Sequence, residues 1–227
     1  MKMSAAHRDL PGRVLLRGLL AERNQHPERS EELDAQIRSN FERELTILVL
    51  DMVGFTRLSR QLGIISYMAM IAEMYFAARP AVIANGGRVI KVEADNMFAI
   101  FDGPTKALEG ALDILAAFDA INGVVPDDHD IFGSVGIGHG PILVIDDEDI
   151  FGCEVNVASK LGEDVAASSE ILLTESAFRA LNPGGYRFDA RQADIGGFPL
   201  DYYHFRARLG PDGNDLEIPS RPGRPVV

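Results

Sequence analysis

Asp51 closes an apolar run, LTILVLDM (45–52), and Asp95 sits in KVEADNMFAIF (91–101), between two stretches with the alternation of strands. Carboxylates at the ends of neighbouring strands can share a pair of Mg²⁺ ions, because hard cations take oxygen ligands and keep water or phosphate in the rest of their shells. Gly54, Phe55 and Thr56 follow Asp51 and let the backbone turn tightly, so that N–H groups at a helix start can meet an anion. The combination points to a phosphate compound bound partly through metal. Taken alone, an aspartate at a strand end is more often a turn former or helix cap; the pair is what points to metal.

Asn156 and Lys160 stand four residues apart and share a helix face that the apolar Val155, Ala158 and Leu161 do not occupy. They form either a donor pair aimed at a phosphate or a solvated helix face. Asp149, in the acidic turn before that helix, is either a ligand-facing carboxylate or plain surface. A phosphoacceptor role for Asp51 would call for an acidic pair early in the chain and a lysine after a late strand, and neither is evident.

The elements that must position these residues can be read in order. Residues 1–29, with Pro11, Gly12, Gly18 and Pro27, read as mobile or only locally helical. Ser30 offers an N-cap, and Leu33, Ile37 and Phe41 recur every fourth residue in a helix running toward Glu44. That helix docks on its own domain, or forms a dimer or transmits a signal to the domain that follows. The run 45–52 is β-branched and apolar, as in a strand covered on both faces. Ile64, Tyr67, Met68, Ile71, Met74, Tyr75 and Ala78 follow helical spacing up to Asn85, Gly86 and Gly87. Strands over about 88–93 and 97–101 are close enough for a hairpin. Pro104 opens a helix carrying Ala107, Ala111, Ile114, Leu115 and Phe118.

Further on, FGSVGIGHGPILVID reads as two short strands around His139 to Pro141, and a helix covers about 154–165. A strand from Glu170, a short helix near Glu175 and strands over 186–189 and 202–206 complete the reading. The mixture of hairpins and helical crossovers implies an α/β sheet with helices packed against it. From Arg208 onward Pro, Gly and Arg dominate, as in a flexible tail.

Composition narrows the class. The chain of 227 residues is 46% hydrophobic, enough for one substantial core. Its 22 Lys and Arg against 34 Asp and Glu give a net charge of −12, which disfavours nucleic acid and anionic membrane as partners. Cys153 is the sole cysteine, so neither an intrachain disulfide nor a cysteine zinc site is available. No apolar run reaches the roughly 18 residues of a membrane span, and the N-terminus makes no convincing signal peptide. A cytoplasmic protein without membrane insertion is the expectation.

DMVGFTRLS (51–59), KVEADNMFAIF (91–101), VGIGHGPIL (135–143) and DIFGCEVNVASKLGED (149–164) follow one another in the order and approximate spacing of the class III nucleotidyl cyclase catalytic domain, which residues 45–206 resemble. Residues 1–44 then form an N-terminal segment with its helix at about 30–44, and 207–227 form the tail. The resemblance implies a ferredoxin-like βαββαβ core with additional strands and helices, and a head-to-tail homodimer with active sites between subunits.

By position, Asp51 and Asp95 resemble the metal-binding aspartates, with the carbonyl of Met52 as an extra ligand for the Mg²⁺ or Mn²⁺ pair. Lys91, four before Asp95, looks like the purine-selecting lysine, and Asp149 like its partner for the adenine amino group. Asn156 matches the residue that positions the ribose. Lys160 matches the residue that stabilises the transition state, and the amides of Gly54, Phe55 and Thr56 match the phosphate-holding turn. The resemblance implies a phosphorus–oxygen lyase of signal transduction: the ribose 3′-hydroxyl of ATP attacks the α-phosphorus with the help of both metals, giving cyclic AMP and pyrophosphate.

The sequence departs from the family pattern at three places. Lys160 replaces an arginine and lacks its bidentate fork. Ala94 replaces the glycine before the second aspartate. DIGGFPLDYYHF (194–205) carries no lysine for the polyphosphate. The alternatives are therefore a weak or inactive homologue that binds nucleotide or a partner protein, and a cyclase for GTP or a pyrimidine nucleotide.

Overall fold

The computed structural model describes residues 11–53, 63–126, 129–195 and 197–216. Gly54, Phe55 and Thr56, and the tail beyond Leu216, lie outside them. The succession is α1 (Gly12–Gln25), α2 (Ser30–Phe41), β1 (Glu42–Met52), α3 (Ile64–Ala84), β2 (Arg88–Glu93), β3 (Asn96–Phe101), α4 (Pro104–Asn122) and β4 (Gly133–Ile145). It continues with β5 (Asp149–Phe151), α5 (Cys153–Lys160), a π-helical turn (Leu161–Val165), β6 (Ile171–Thr174), α6 (Glu175–Ala180), β7 (Tyr186–Ile195), β8 (Phe198–Leu209) and β9 (Asp215–Leu216).

One sheet holds all these strands in the order β2-β3-β1-β4-β6-β8-β7, with β5 paired to β4 and β9 to β8. The run β1-α3-β2-β3-α4-β4 is the expected βαββαβ unit, its four strands antiparallel in the order β2-β3-β1-β4. The crossover from β4 through α5 brings β6 in parallel beside β4, and β8 and β7 extend the sheet beyond it.

The apolar run of β1 is buried on both faces. Leu48, Leu50 and Met52 pack under α3 and α4 with Met74, Met97, Phe101 and Leu108. Ile47 and Val49 point the other way, onto Ile90, Phe98, Ile142, Val155 and Ala158. Since side chains alternate along a strand, Asp51 falls on the face of Ile47 and Val49, the side that α5 covers.

That helix can lie close on β4 because glycines leave room for its backbone. A Cβ on Gly136 would stand 2.0 Å from the carbonyl oxygen of Ala158, and one on Gly138 would stand 2.8 Å from that of Glu154. The glycines of GIGHG therefore serve packing, in one continuous strand where the sequence reading has two short ones.

Other elements also differ from expectation. The region read as mobile or locally helical contains the 14-residue helix α1, whose Leu15 and Leu19 pack on Leu33, Ile37 and Phe41 of α2 and on Ile145 of β4. The apolar face of α2 is thus docked within its own chain. The helix stops at Phe41 because β1 already begins at Glu42. α3 buries Tyr67, Met70, Met74, Ala78 and Val82, whereas Ile64 and Met68, expected inward, are exposed with Ile65, Phe76 and Ile83. A helix apolar on every side carries no stripe that spacing could orient. The helix expected over 154–165 is α-helical only to Lys160 and widens to a π turn thereafter. β7 and β8 run well past 186–189 and 202–206, and pairing with β9 carries order beyond residue 206.

Candidate active site

β1, β3 and the turn between β2 and β3 bring the two aspartates together. Asp51 lies opposite Asn96 of β3 on one side and Ser134 of β4 on the other. The amide of Met52 donates to the carbonyl of Asp95 at 3.3 Å, which ties the hairpin turn to the end of β1. That turn needs a left-handed residue, and Ala94 supplies it at φ 52°. In this region glycine has no steric penalty and alanine does, so the departure at Ala94 is accommodated with strain.

Asp51 and Asp95 are half-buried. Burial first, and then the negative charges of Asp95, Glu163 and Asp164, push the Asp51 carboxyl up to about 7. Tyr67 reaches the same cluster from α3: its hydroxyl donates to Oδ2 of Asp95 at 3.1 Å. Asn96 donates its Nδ2 to Oε1 of Glu163 at 3.2 Å, and its Oδ1 is buried without a partner among the described residues.

The π turn is what places Glu163 and Asp164 here. Its Gly162 packs on Gly136 and on the carbonyl of Val49, and its carbonyl accepts from Oγ of Ser134 at 2.9 Å. π turns of this kind recur at functional sites because they re-aim the residues that follow.

These carboxylates are hard oxygen donors whose mutual repulsion a divalent cation would relieve, so the set fits Mg²⁺ or Mn²⁺. Among the described residues no group of three or more His, Cys, Asp or Glu is gathered to hold an ion by itself. Asp51, Asp95 and the carbonyl of Met52 could supply part of a shell, leaving the remainder to water and phosphate.

Asn156 and Lys160 are exposed on the outer face of α5, while Val155 and Ala158 are buried beneath them. Lys160 donates to Oδ2 of Asp164 at 2.8 Å, and that hydrogen bond raises the pKa of its ammonium. The face is shared as expected, at the same end of the sheet as Asp51.

Lys91 and Asp149 form a second cluster. The β4–β5 hairpin folds across the sheet so that Asp149 Oδ1 lies 3.0 Å from Lys91 Nζ. Glu93 Oε1 is also 3.0 Å away, and the ammonium sits 5.0 Å from the centroid of Phe98. Burial works to lower the pKa of Lys91, but hydrogen bonds to Glu93 and Asp149 outweigh it and leave the ammonium firmly charged. A cation beside a carboxylate can present a donor and an acceptor side by side.

Sequence reasoning missed Tyr67, Glu93, Glu163 and Asp164 as members of these clusters. The one signal for Tyr67 is a phenol at a position whose helical neighbours include Ile64, Met70 and Ile71. A cleft of about 410 Å³ lined by Arg43, Arg88, Asp102 and Asp147 lies at the other end of β1, away from both aspartates.

Comparison with known proteins agrees with the geometry. The family model described as "Adenylate and Guanylate cyclase catalytic domain" matches residues 37–196. A Rhizobium meliloti (strain 1021) protein provisionally named as an adenylate cyclase is 33% identical over 115 residues, 51% of this chain and 19% of that protein. The adenylate cyclase of Streptomyces coelicolor (strain ATCC BAA-471 / A3(2) / M145) is 30% identical over 137 residues, 60% of this chain and 34% of its own length. The chain thus matches a fifth to a third of the length of these relatives. The crystal structure of an adenylate/guanylate cyclase/hydrolase from Silicibacter pomeroyi superposes with a TM-score of 0.61 at 26% identity, covering 72% of this chain and 96% of that one.

Proposed function

Because the chain belongs to the adenylate and guanylate cyclase catalytic domain family, we propose that it converts ATP to cyclic AMP and pyrophosphate, as a head-to-tail homodimer of the cell interior. The observation that carries the choice of ATP is the 3.0 Å pair of Lys91 and Asp149. Adenine presents a ring acceptor beside an amino donor, which an ammonium and a carboxylate complement; guanine reverses that pattern.

Asp51 and Asp95, with the carbonyl of Met52, would hold the Mg²⁺ or Mn²⁺ pair. When bound, such ions supply Lewis acidity toward the ribose 3′-hydroxyl and neutralise charge on the phosphates. Asn156 would orient the ribose so that its 3′-oxygen lies in line with the α-phosphorus. Lys160 would leave Asp164 and meet the charge that develops on the phosphoryl oxygens. Gly54, Phe55 and Thr56 would offer amides to the polyphosphate.

Within one chain the aspartates and the Lys91–Asp149 pair form separate clusters, so a dimer in which each site takes its aspartates from one subunit and Lys91 from the other accounts for both. GTP is the second reading, favoured by Glu93, a further carboxylate acceptor on the same ammonium.

Purified protein with Mg²⁺ or Mn²⁺ and each of ATP, GTP, CTP and UTP tests the proposal by product analysis. Cyclic AMP is expected, along with its loss in Asp51→Ala and Asp95→Ala. No cyclic nucleotide from any of the four substrates, with the dimer intact, would sink it in favour of a binding module.

A further inference from the structure

Tyr67 begins the buried stripe of α3, followed by Met70, Met74, Ala78 and Val82. Its ring is fully enclosed in the core beneath the sheet, on the side away from α5. Of those five side chains only Tyr67 carries a polar atom, and that atom lies 3.1 Å from Oδ2 of Asp95. A buried hydroxyl is costly unless it is paired, and a hydrogen bond to an ionised acceptor is among the stronger pairings. The core position could be filled by an apolar residue of similar size, so packing alone does not explain the phenol.

Asp95 occupies a two-residue turn after the left-handed Ala94, a place where a carboxylate has several rotamers open to it. A donor rising from the core holds one of its oxygens, Oδ2. The donor is also neutral, so it orients Asp95 without cancelling the charge that attracts a cation. A phenol carries its proton throughout the neutral range and so remains a donor there.

We propose that Tyr67 is a positioning residue that sets the carboxylate of Asp95 for divalent-cation binding. The proposal rests on the reading of Asp51 and Asp95 as metal ligands. Outer-shell partners of this kind contribute about 10- to 100-fold to metal affinity.

The test uses the full chain. Direct Mn²⁺ binding is measured by titration calorimetry without nucleotide, and cyclase rate is measured against Mn²⁺ concentration, for wild type, Tyr67→Phe, Tyr67→Leu and Asp95→Asn. Tyr67→Phe keeps the ring and removes only the oxygen. Its Mn²⁺ Kd is expected to rise about 10-fold or more, with the lost rate largely recovered at saturating Mn²⁺ and the thermal midpoint close to wild type. Tyr67→Leu should follow the same direction. Wild-type Mn²⁺ affinity in Tyr67→Phe together with loss in Asp95→Asn would overturn the role of Tyr67 alone. Unchanged affinity in both would overturn the metal assignment beneath it. A rate loss in Tyr67→Phe that saturating Mn²⁺ does not recover, at unchanged affinity, would also overturn the proposal, since it marks a purely structural effect.

Discussion

Lys91 Nζ and Asp149 Oδ1 stand 3.0 Å apart although 58 residues separate them in the chain. Both side chains are mostly shielded, at 20% and 26% exposure, so the pair escapes much of the screening that makes exposed ion pairs weak. Replacing either partner strips one base-reading group and leaves the other misdirected. Lys91→Ala and Asp149→Ala are each expected to raise the KM for ATP about tenfold, with the double variant less than additive. Steady-state kinetics with ATP and GTP check this, and equal effects on both nucleotides would argue against base selection.

The Asp51 carboxyl gives a pH dependence with a definite sign. In the metal-free protein it titrates at about 7, against 3.8 for its ordinary value. Between those values the folded chain holds a proton that the unfolded chain has released. The group's stabilising contribution is therefore complete below the lower value and is lost as pH rises through the upper one. Cation binding works in the opposite sense, since it favours the ionised carboxylate. Mn²⁺ affinity should climb with pH up to about 7 and then level, with proton release on binding at about pH 6 that fades by about pH 8. Calorimetry in buffers of different ionisation enthalpy measures the release, and Asp51→Asn should abolish it.

Much of this was legible in the sequence, for identifiable reasons. The β-branched, apolar run 45–52 has the pattern of a doubly covered strand, and it forms most of β1. The hairpin at Ala94 and Asp95 followed from two alternating stretches with polar residues between them. Asn156 and Lys160 were placed on one face by simple helical spacing. What stayed hidden depends on contacts between distant segments. Nothing local marks Leu15 and Leu19 as buried until α2 and Ile145 are packed against them. Nothing in KLGED announces a π turn, because the cause lies in Gly136, Val49 and Ser134. Tyr67 and Glu163 join the site only when the sheet is assembled.

The start of α1 is capped by Asp146, beside the apolar packing on Ile145. Asp146 accepts from the amides of Gly12 and Arg13 at 2.7 and 3.0 Å, as a carboxylate at a helix N-terminus should. Three residues later in the same turn region stands Asp149. Asp146→Ala is expected to destabilise α1 by about 1 kcal/mol, as is Gly12→Ala, whose Cβ would stand 2.5 Å from Oδ1 of Asp146. Hydrogen exchange should show faster amides over α1 with little change in β1. Unchanged protection would mean that the hairpin holds without the cap.

Gly136→Ala tests how closely α5 must approach. Its Cβ would lie 2.0 Å from the Ala158 carbonyl oxygen and 2.8 Å from the Gly162 amide, both backbone atoms that cannot rotate away. Overpacking of this kind costs about 1–3 kcal/mol. Because the displaced helix carries Asn156 and Lys160, kcat should fall far more than the loss of folded protein explains. Denaturant unfolding and kinetics on the same preparation separate the two effects.

Lys160 is held by Asp164 at 2.8 Å, with both side chains about half exposed. Solvent screens an exposed pair of this kind, so it does not keep the ammonium from an arriving triphosphate. Asp164→Ala should thus leave stability within about 0.5 kcal/mol of wild type and kcat close to unchanged. Lys160→Ala removes the cation itself and should lower kcat by about 100-fold with a smaller change in KM, the pattern of an interaction made mainly in the transition state. Lys160→Arg restores charge and adds the planar fork, so its kcat should at least equal that of wild type. An equal loss in Lys160→Arg and Lys160→Ala would show that the site is shaped for a compact ammonium rather than for charge alone.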